Sequence, residues 1–271
     1  MSAARRPAAC YNRPAMGNDA LRILLKALLA LRYRIRIRGL GRILSRGRRG
    51  ILFLPNHPAL IDPILLVTYL QQDVRARPLA EPGPIDLFFI RWLARRSGAI
   101  EIPALSKEGA GVRRQVRQAI DACAAALRAG ENVIVYPAGR LQTARRERLG
   151  GNSGVERILR AAPAARVVLV RTTGLWGSGF SWARGGEPDI GRVLRRGLSG
   201  LAASGVVFAP RREVTVTFHE PPDLPRRGPR AALNRAIEQF HNADAPPATY
   251  VPYSLWEPAG PRTLPEPASA P

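Results

Sequence analysis

Histidine, lysine and cysteine are all scarce in this 271-residue sequence, and each shortage narrows what the chain can do. The two cysteines, Cys10 and Cys123, stand far apart in unlike contexts. Neither a disulfide framework nor a zinc site is indicated, and a reducing cytosol is expected. Only two lysines occur, Lys26 and Lys107, so arginine carries nearly all of a net charge of +22 and a pI near 11.6. No apolar run approaches the ~18 residues of a spanning helix. Residues 1–17 are small and basic and lack the continuous apolar segment of a secretory signal, so a disordered leader is expected. A Gly-x-Ser-x-Gly elbow is missing, which removes that route to a serine nucleophile. A Gly-x4-Gly-Lys phosphate cradle is missing too, so nucleotide hydrolysis is not indicated.

What is present points to one α/β domain. Hydrophobic residues make up 46% of the chain, enough for a globular core and too many for a disordered one. Short apolar or alternating runs at 33–38, 51–54, 76–80, 132–136, 166–171 and 211–219 predict strands. Helix-like segments at 63–72, 109–129, 154–162 and 230–241 fall among them. Such alternation predicts a layered fold with a substantially parallel sheet flanked by helices, over residues 18–243. Ahead of it, Asn18-Asp19 can cap a basic amphipathic helix through Leu21, Leu24, Leu25, Leu28 and Leu29, interrupted by Arg22, Lys26 and Arg32. At about 21 Å it falls short of a ~30 Å bilayer core. It can lie in a membrane interface or dock on the domain, and the mainly apolar segment 85–96 offers the same choice. From Asp244 the chain turns Pro- and Ala-rich, and it is expected to be unstructured beyond Trp256.

The most constrained polar residues are His57 and Asp62, in the break between the apolar run ending at Leu54 and the one that Pro63 opens. A turn between a buried strand and a helix is where open α/β sheets place ligands. If the turn folds back, Asp62 can accept a hydrogen bond from one imidazole nitrogen. The other nitrogen is then an acceptor, ready to take a proton from a hydroxyl. Asp62 followed by Pro63 also fits an ordinary helix start, with Asp62 as N-cap, and His57 a plain loop residue.

The block Asn56-His57-Pro58-Ala59-Leu60-Ile61-Asp62-Pro63 resembles the Asn-His-x4-Asp signature of the phospholipid/glycerol acyltransferase family, the PlsC-type enzymes. Downstream, Val135-Tyr136-Pro137-Ala138-Gly139-Arg140 is similar to that family's Phe-Pro-Glu-Gly block. Its Gly-Arg ending is similar to 2-acylglycerophosphoethanolamine acyltransferases. Gly98 to Ile102 and Val167 to Val170 look like the two remaining blocks, so the resemblance spans roughly residues 35–220. It implies transfer of an acyl chain from acyl-CoA or acyl-carrier protein to a hydroxyl of a lysophospholipid or glycerol-phosphate-type acceptor. His57 would be the general base and Asp62 its orienting carboxylate, with Asn56, Gly139 and Arg140 binding substrate. No enzyme nucleophile, cofactor or metal is implied.

Three positions depart from the family pattern. Ala138 stands where the family has Glu, Pro103 lies close to its acceptor-contacting Arg, and Leu169 replaces a proline. The base machinery is present while the acceptor site is altered, so a catalytically degraded lipid-binding member is an alternative. The charge alone would also suit a nucleic-acid binder, but its arginines are spread without an aromatic-rich recognition motif, and nucleic acid is not expected. A peripheral position on an anionic membrane, at its cytoplasmic face, is expected. His219 is expected to be structural, while Trp176 and Phe180 can line an acyl groove or simply pack.

Overall fold

A computed structural model describes residues 16–71, 73–80, 96–102, 110–257 and 260–267. The segment 85–95 and Pro103 lie outside the described residues, as does most of the leader. The fold is built on β2 (Ile51–Pro55), whose continuous apolar sequence is buried along its whole length. Side chains alternate across a strand, so Ile51 and Phe53 enter one core while Leu52 and Leu54 enter the other. All four are fully excluded from solvent. Burial of that extent contributes roughly 1.5–3 kcal/mol per side chain.

Six further strands flank it: β1 (Tyr33–Arg38), β3 (Ala76–Ala80), β4 (Ile100–Glu101), β5 (Asn132–Ile134), β6 (Arg166–Thr173) and β7 (Arg212–His219). Their order is β1-β7-β6-β2-β5-β3-β4. β6, β2, β5, β3 and β4 run parallel; β7 turns antiparallel to β6 and carries β1 parallel to itself at the edge. The substantially parallel sheet expected from the alternating pattern is present. The alternating Arg and Ile residues of β1 suit its edge position, where outward arginines blunt further pairing.

Helices cover both faces. α1 (Met16–Arg32), α2 (Leu40–Ser45) and α3 (Asp62–Leu70) pack on the Ile51/Phe53 side. α4 (Ala110–Arg128), α5 (Gly154–Ala161) and α7 (Arg230–Asn242) close the Leu52/Leu54 side. On that side Cys123 is fully buried and burial pushes its thiol up to about 12, so it acts as a small hydrophobe. The basic amphipathic α1 is present, with Leu25 and Leu29 inward and Ile23, Leu24 and Leu28 exposed, but it begins at Met16, so Asn18 and Asp19 lie inside it instead of capping it. Among the described residues no helix is long and apolar enough to cross a membrane. α6 (Ile190–Ala203) falls in a stretch where the sequence signalled no element.

Beyond Trp256, where no structure was expected, β9 (Arg262–Thr263) pairs antiparallel with β8 (Thr249–Tyr250). The Arg262 guanidinium lies 4.7 Å from the Tyr250 ring centre, a cation–π contact that composition does not reveal. Arg212 anchors the neighbouring loop: its guanidinium donates to the carbonyls of Gly174, Gly177 and Thr249. Burial is the main reason its pKa comes down to about 10, which still leaves it charged at neutral pH. Gly174 and Gly177 both have positive φ and face backbone so closely that a Cβ would meet Glu213 O at 2.1 Å or Thr249 N at 2.3 Å. No other residue fits there.

Candidate active site

The carboxyl ends of β2, β5 and β6 converge, and the turn after β2 lies among them. Asn56 fastens that turn: its Oδ1 accepts from the Thr172 amide at 2.7 Å and its Nδ2 donates to the Thr172 carbonyl at 3.1 Å. The pair extends the β2–β6 ladder with a side chain in place of a backbone rung. The His57 amide then donates to Glu147 Oε1 (3.0 Å), and the His57 carbonyl accepts from the Gln142 amide (2.8 Å). The Leu60 amide donates to the Phe180 carbonyl at 2.9 Å. Partners from three other parts of the chain, β6, the 142–147 loop and Phe180, therefore hold one short turn.

Within it, His57 Nδ1 lies 2.9 Å from Asp62 Oδ2. Asp62 opens α3 without capping it: Ile61 takes the cap position, and no side-chain cap bond forms. The carboxylate is occupied elsewhere, because its Oδ1 accepts from the Tyr136 hydroxyl at 2.6 Å and its Oδ2 also accepts from the Ala59 amide at 3.4 Å. With Asp62 only 2% exposed, Nδ1 is the natural donor and Nε2 keeps the lone pair. Among the described residues nothing bonds Nε2. Burial is the largest influence on the imidazole and lowers its pKa. The charge and hydrogen bond of Asp62, with Glu147 and the Ala59 backbone, together outweigh burial and leave the pKa above its ordinary value. A basic nitrogen in a fixed tautomer, on a ring that keeps some exposure, is what abstraction of a hydroxyl proton requires.

Residues 34–172, a little over half of the chain, match the family model described as Acyltransferase. The chain belongs to the acyltransferase family. The crystal structure of the 1-acyl-sn-glycerophosphate (LPA) acyltransferase PlsC from Thermotoga maritima matches with a TM-score of 0.55 at 15% identity, over 83% of this chain and 76% of that one. A likeness at that identity establishes a common fold. No curated protein sequence matches this chain.

In this acyltransferase the second block reaches the same turn from β5. Tyr136 follows that strand, and its ring centre lies 4.5 Å from that of His57. Its phenol is pushed well above its ordinary pKa, first by burial and then by Asp62, so it remains a donor. Gly139 has φ of 65°, and Asn152 Nδ2 donates to the carbonyls of Pro137 and Ala138, which fixes the turn's shape. Arg140 is exposed, two residues before the Gln142 that bonds His57. Asn56, expected to bind substrate, is 94% buried with both amide atoms engaged by Thr172. Its structural contribution is to position the turn.

Beneath the first pair lies a second one, assembled from parts of the chain far apart in sequence. His241, fully buried, has Nδ1 2.5 Å from Glu147 Oε2 and Nε2 3.0 Å from the Leu54 carbonyl. A carbonyl only accepts, so Nε2 carries hydrogen, and the Nδ1 contact needs a further proton shared with the carboxylate. The pair is therefore neutral overall. The available signal was Glu147 itself, the one acid within Arg145-Arg146-Glu147-Arg148.

A cavity of about 20 Å³ behind the turn, bordered by Asn56, Thr172, Trp176 and His241, has room for no more than a water. Trp176 is buried against Ala183 and Ala248, and Phe180 packs into the α1–α3 core. His219 stacks on Phe240 at 5.5 Å, a structural placement. No cluster of His, Cys, Asp and Glu among the described residues has metal-binding geometry.

Proposed function

We propose that this protein is an O-acyltransferase that moves a fatty acyl group from a thioester donor, acyl-CoA or acyl-carrier protein, to a free hydroxyl of a lysophospholipid or glycerol-phosphate-type acceptor. The observation that carries the proposal is the 2.9 Å contact of His57 Nδ1 with a buried Asp62, which leaves Nε2 as a fixed base. Nε2 takes the acceptor's hydroxyl proton as its oxygen bonds to the thioester carbonyl carbon. The tetrahedral intermediate collapses, the C–S bond breaks, and the imidazolium returns the proton to the departing thiolate. Asp62 stabilises the imidazolium, and Tyr136 holds Asp62. The amides of His57, Ala59, Leu60 and Asp62 already donate to Glu147, Asp62, Phe180 and Ala59, so none of these four is free for the oxyanion. Arg140, exposed on the neighbouring turn, is the proposed contact for acceptor phosphate. The protein works peripherally at an anionic membrane, with the exposed side of α1 in contact with lipid.

The direct test offers purified protein acyl-CoA or acyl-carrier protein with a mixed lysophospholipid pool. Free thiol and newly acylated lipid are then followed by mass spectrometry. Acceptor-dependent thiol release is the expected result. Lysophospholipid binding without turnover from either donor would establish the degraded, lipid-binding alternative, which the Ala138 replacement favours.

The pH profile gives a second test with a definite sign. Only the neutral imidazole is a base, so kcat/KM falls as pH drops through the His57 pKa. Because that pKa is raised, the acid limb lies above the ordinary histidine value of about 6.5. Tyr136→Phe removes a hydrogen bond that spreads the Asp62 charge, so His57 becomes more basic and the limb moves to higher pH. Asp62→Asn removes the charge and moves it lower. Shifts of the same sign in both variants would refute the assigned coupling.

A further inference from the structure

The protein has an unusual surface at α6. A helix on a globular domain ordinarily buries its large apolar residues and exposes its small or polar ones. Here the order is reversed. α6 sits on the domain through Val193, Gly197 and Gly200; a Cβ on Gly200 would lie 2.3 Å from the Tyr253 carbonyl oxygen. Leu194 and Leu198, one turn apart, face solvent at 44% and 67% exposure.

The chain continues the apolar surface instead of ending it. After Ser204-Gly205 come Val206, Val207 and Phe208, the last 71% exposed. Val206 holds φ of 64°, a left-handed conformation that a β-branched residue adopts only under constraint. The strained turn thus presents three apolar side chains outward. Trp256, 77% exposed, joins them: its Nε1 donates to the Ala203 carbonyl at 2.9 Å, and the adjacent Leu255 amide donates to Ser204 Oγ at 3.2 Å. Exposed Arg192, Arg195 and Arg211 border this surface.

We infer that α6, the 206–208 turn and Leu255-Trp256 form a membrane-insertion surface that seats the protein in a bilayer of anionic phospholipid, separate from α1. Leucine, valine and phenylalanine enter the acyl boundary, tryptophan sits at headgroup depth, and the arginines meet lipid phosphates. Charge complementarity selects this occupant, because the surface belongs to a chain of net charge +22 and an anionic bilayer offers both apolar depth and negative charge. The inference is independent of acyl-transfer chemistry, since vesicle binding is read without turnover.

The experiment compares the full-length protein with a Leu198→Glu/Phe208→Glu double variant by flotation with vesicles of phosphatidylglycerol and phosphatidylcholine. Both replaced side chains are exposed, and circular dichroism verifies the fold. The wild type should bind, the double variant should bind at least about tenfold more weakly, and Arg192→Ala/Arg195→Ala should weaken binding only where phosphatidylglycerol is present. Equal vesicle binding by wild type and double variant would overturn the inference. So would a wild-type dimer in solution that the double variant splits, because the surface would then cover a second copy of the chain.

Discussion

Replacing His57 by alanine should abolish acyl transfer and leave the fold standing. A positioned general base is worth about 10²–10⁴ in rate, and the described residues offer no substitute within this turn. Tyr136 is a donor held by Asp62, and His241 lies fully buried with both nitrogens engaged. The fold should survive because the turn is fastened through atoms that alanine keeps. Those are the backbone amide bonded to Glu147, the carbonyl bonded to Gln142, and the Asn56 amide on Thr172. Asp62 keeps its bonds from Tyr136 and Ala59. The expected signature is a kcat reduced by two or more orders of magnitude with a nearly unchanged melting curve. Unimpaired turnover in the variant would remove His57 from the mechanism. Asp62→Asn should also lose most of the activity, because the imidazole would remain without its charge partner.

Why the first pair could be found in the sequence, and the second could not, follows from how each is assembled. His57 and Asp62 come from one turn, so their spacing is local and survives in the one-dimensional record. Their helix context is misleading in one respect: Asp62 has the sequence setting of an N-cap, yet Tyr136 just after β5 and partners within the turn claim its oxygens. Tyr136 belongs to the second family-like block, but its bond to Asp62 crosses from the segment after β5 to α3 and no periodicity encodes it. Glu147 and His241 are 94 residues apart and meet only after α7 packs against β6. The parallel sheet was legible because β2 and β6 are buried on both faces and read as continuous apolar runs. α6 was not, because its leucines point away from the core that gives other helices their pattern.

The largest effect on stability should come from Glu147→Ala. The carboxylate is 3% exposed and has two tasks: Oε1 accepts from the His57 amide, and Oε2 pairs with His241 Nδ1. Removing it leaves a buried imidazole unpaired on one side and a backbone N–H of the catalytic turn without its acceptor. Breaking a buried pair from one side costs about 3–5 kcal/mol, because the remaining partner stays desolvated. For a domain of this size that lowers Tm by roughly 10 °C. Glu147→Gln separates the contributions of shape and charge. Its carbonyl can still accept from His57, and its NH2 can donate to Nδ1 of a neutral His241 whose Nε2–H remains on Leu54. The glutamine variant should therefore keep most of the stability and most of the activity, while alanine loses both. Calorimetric melting of the two variants beside the wild type measures this difference. Equal losses would mean that the carboxylate's charge, and not its hydrogen bonds, holds the turn beneath His57.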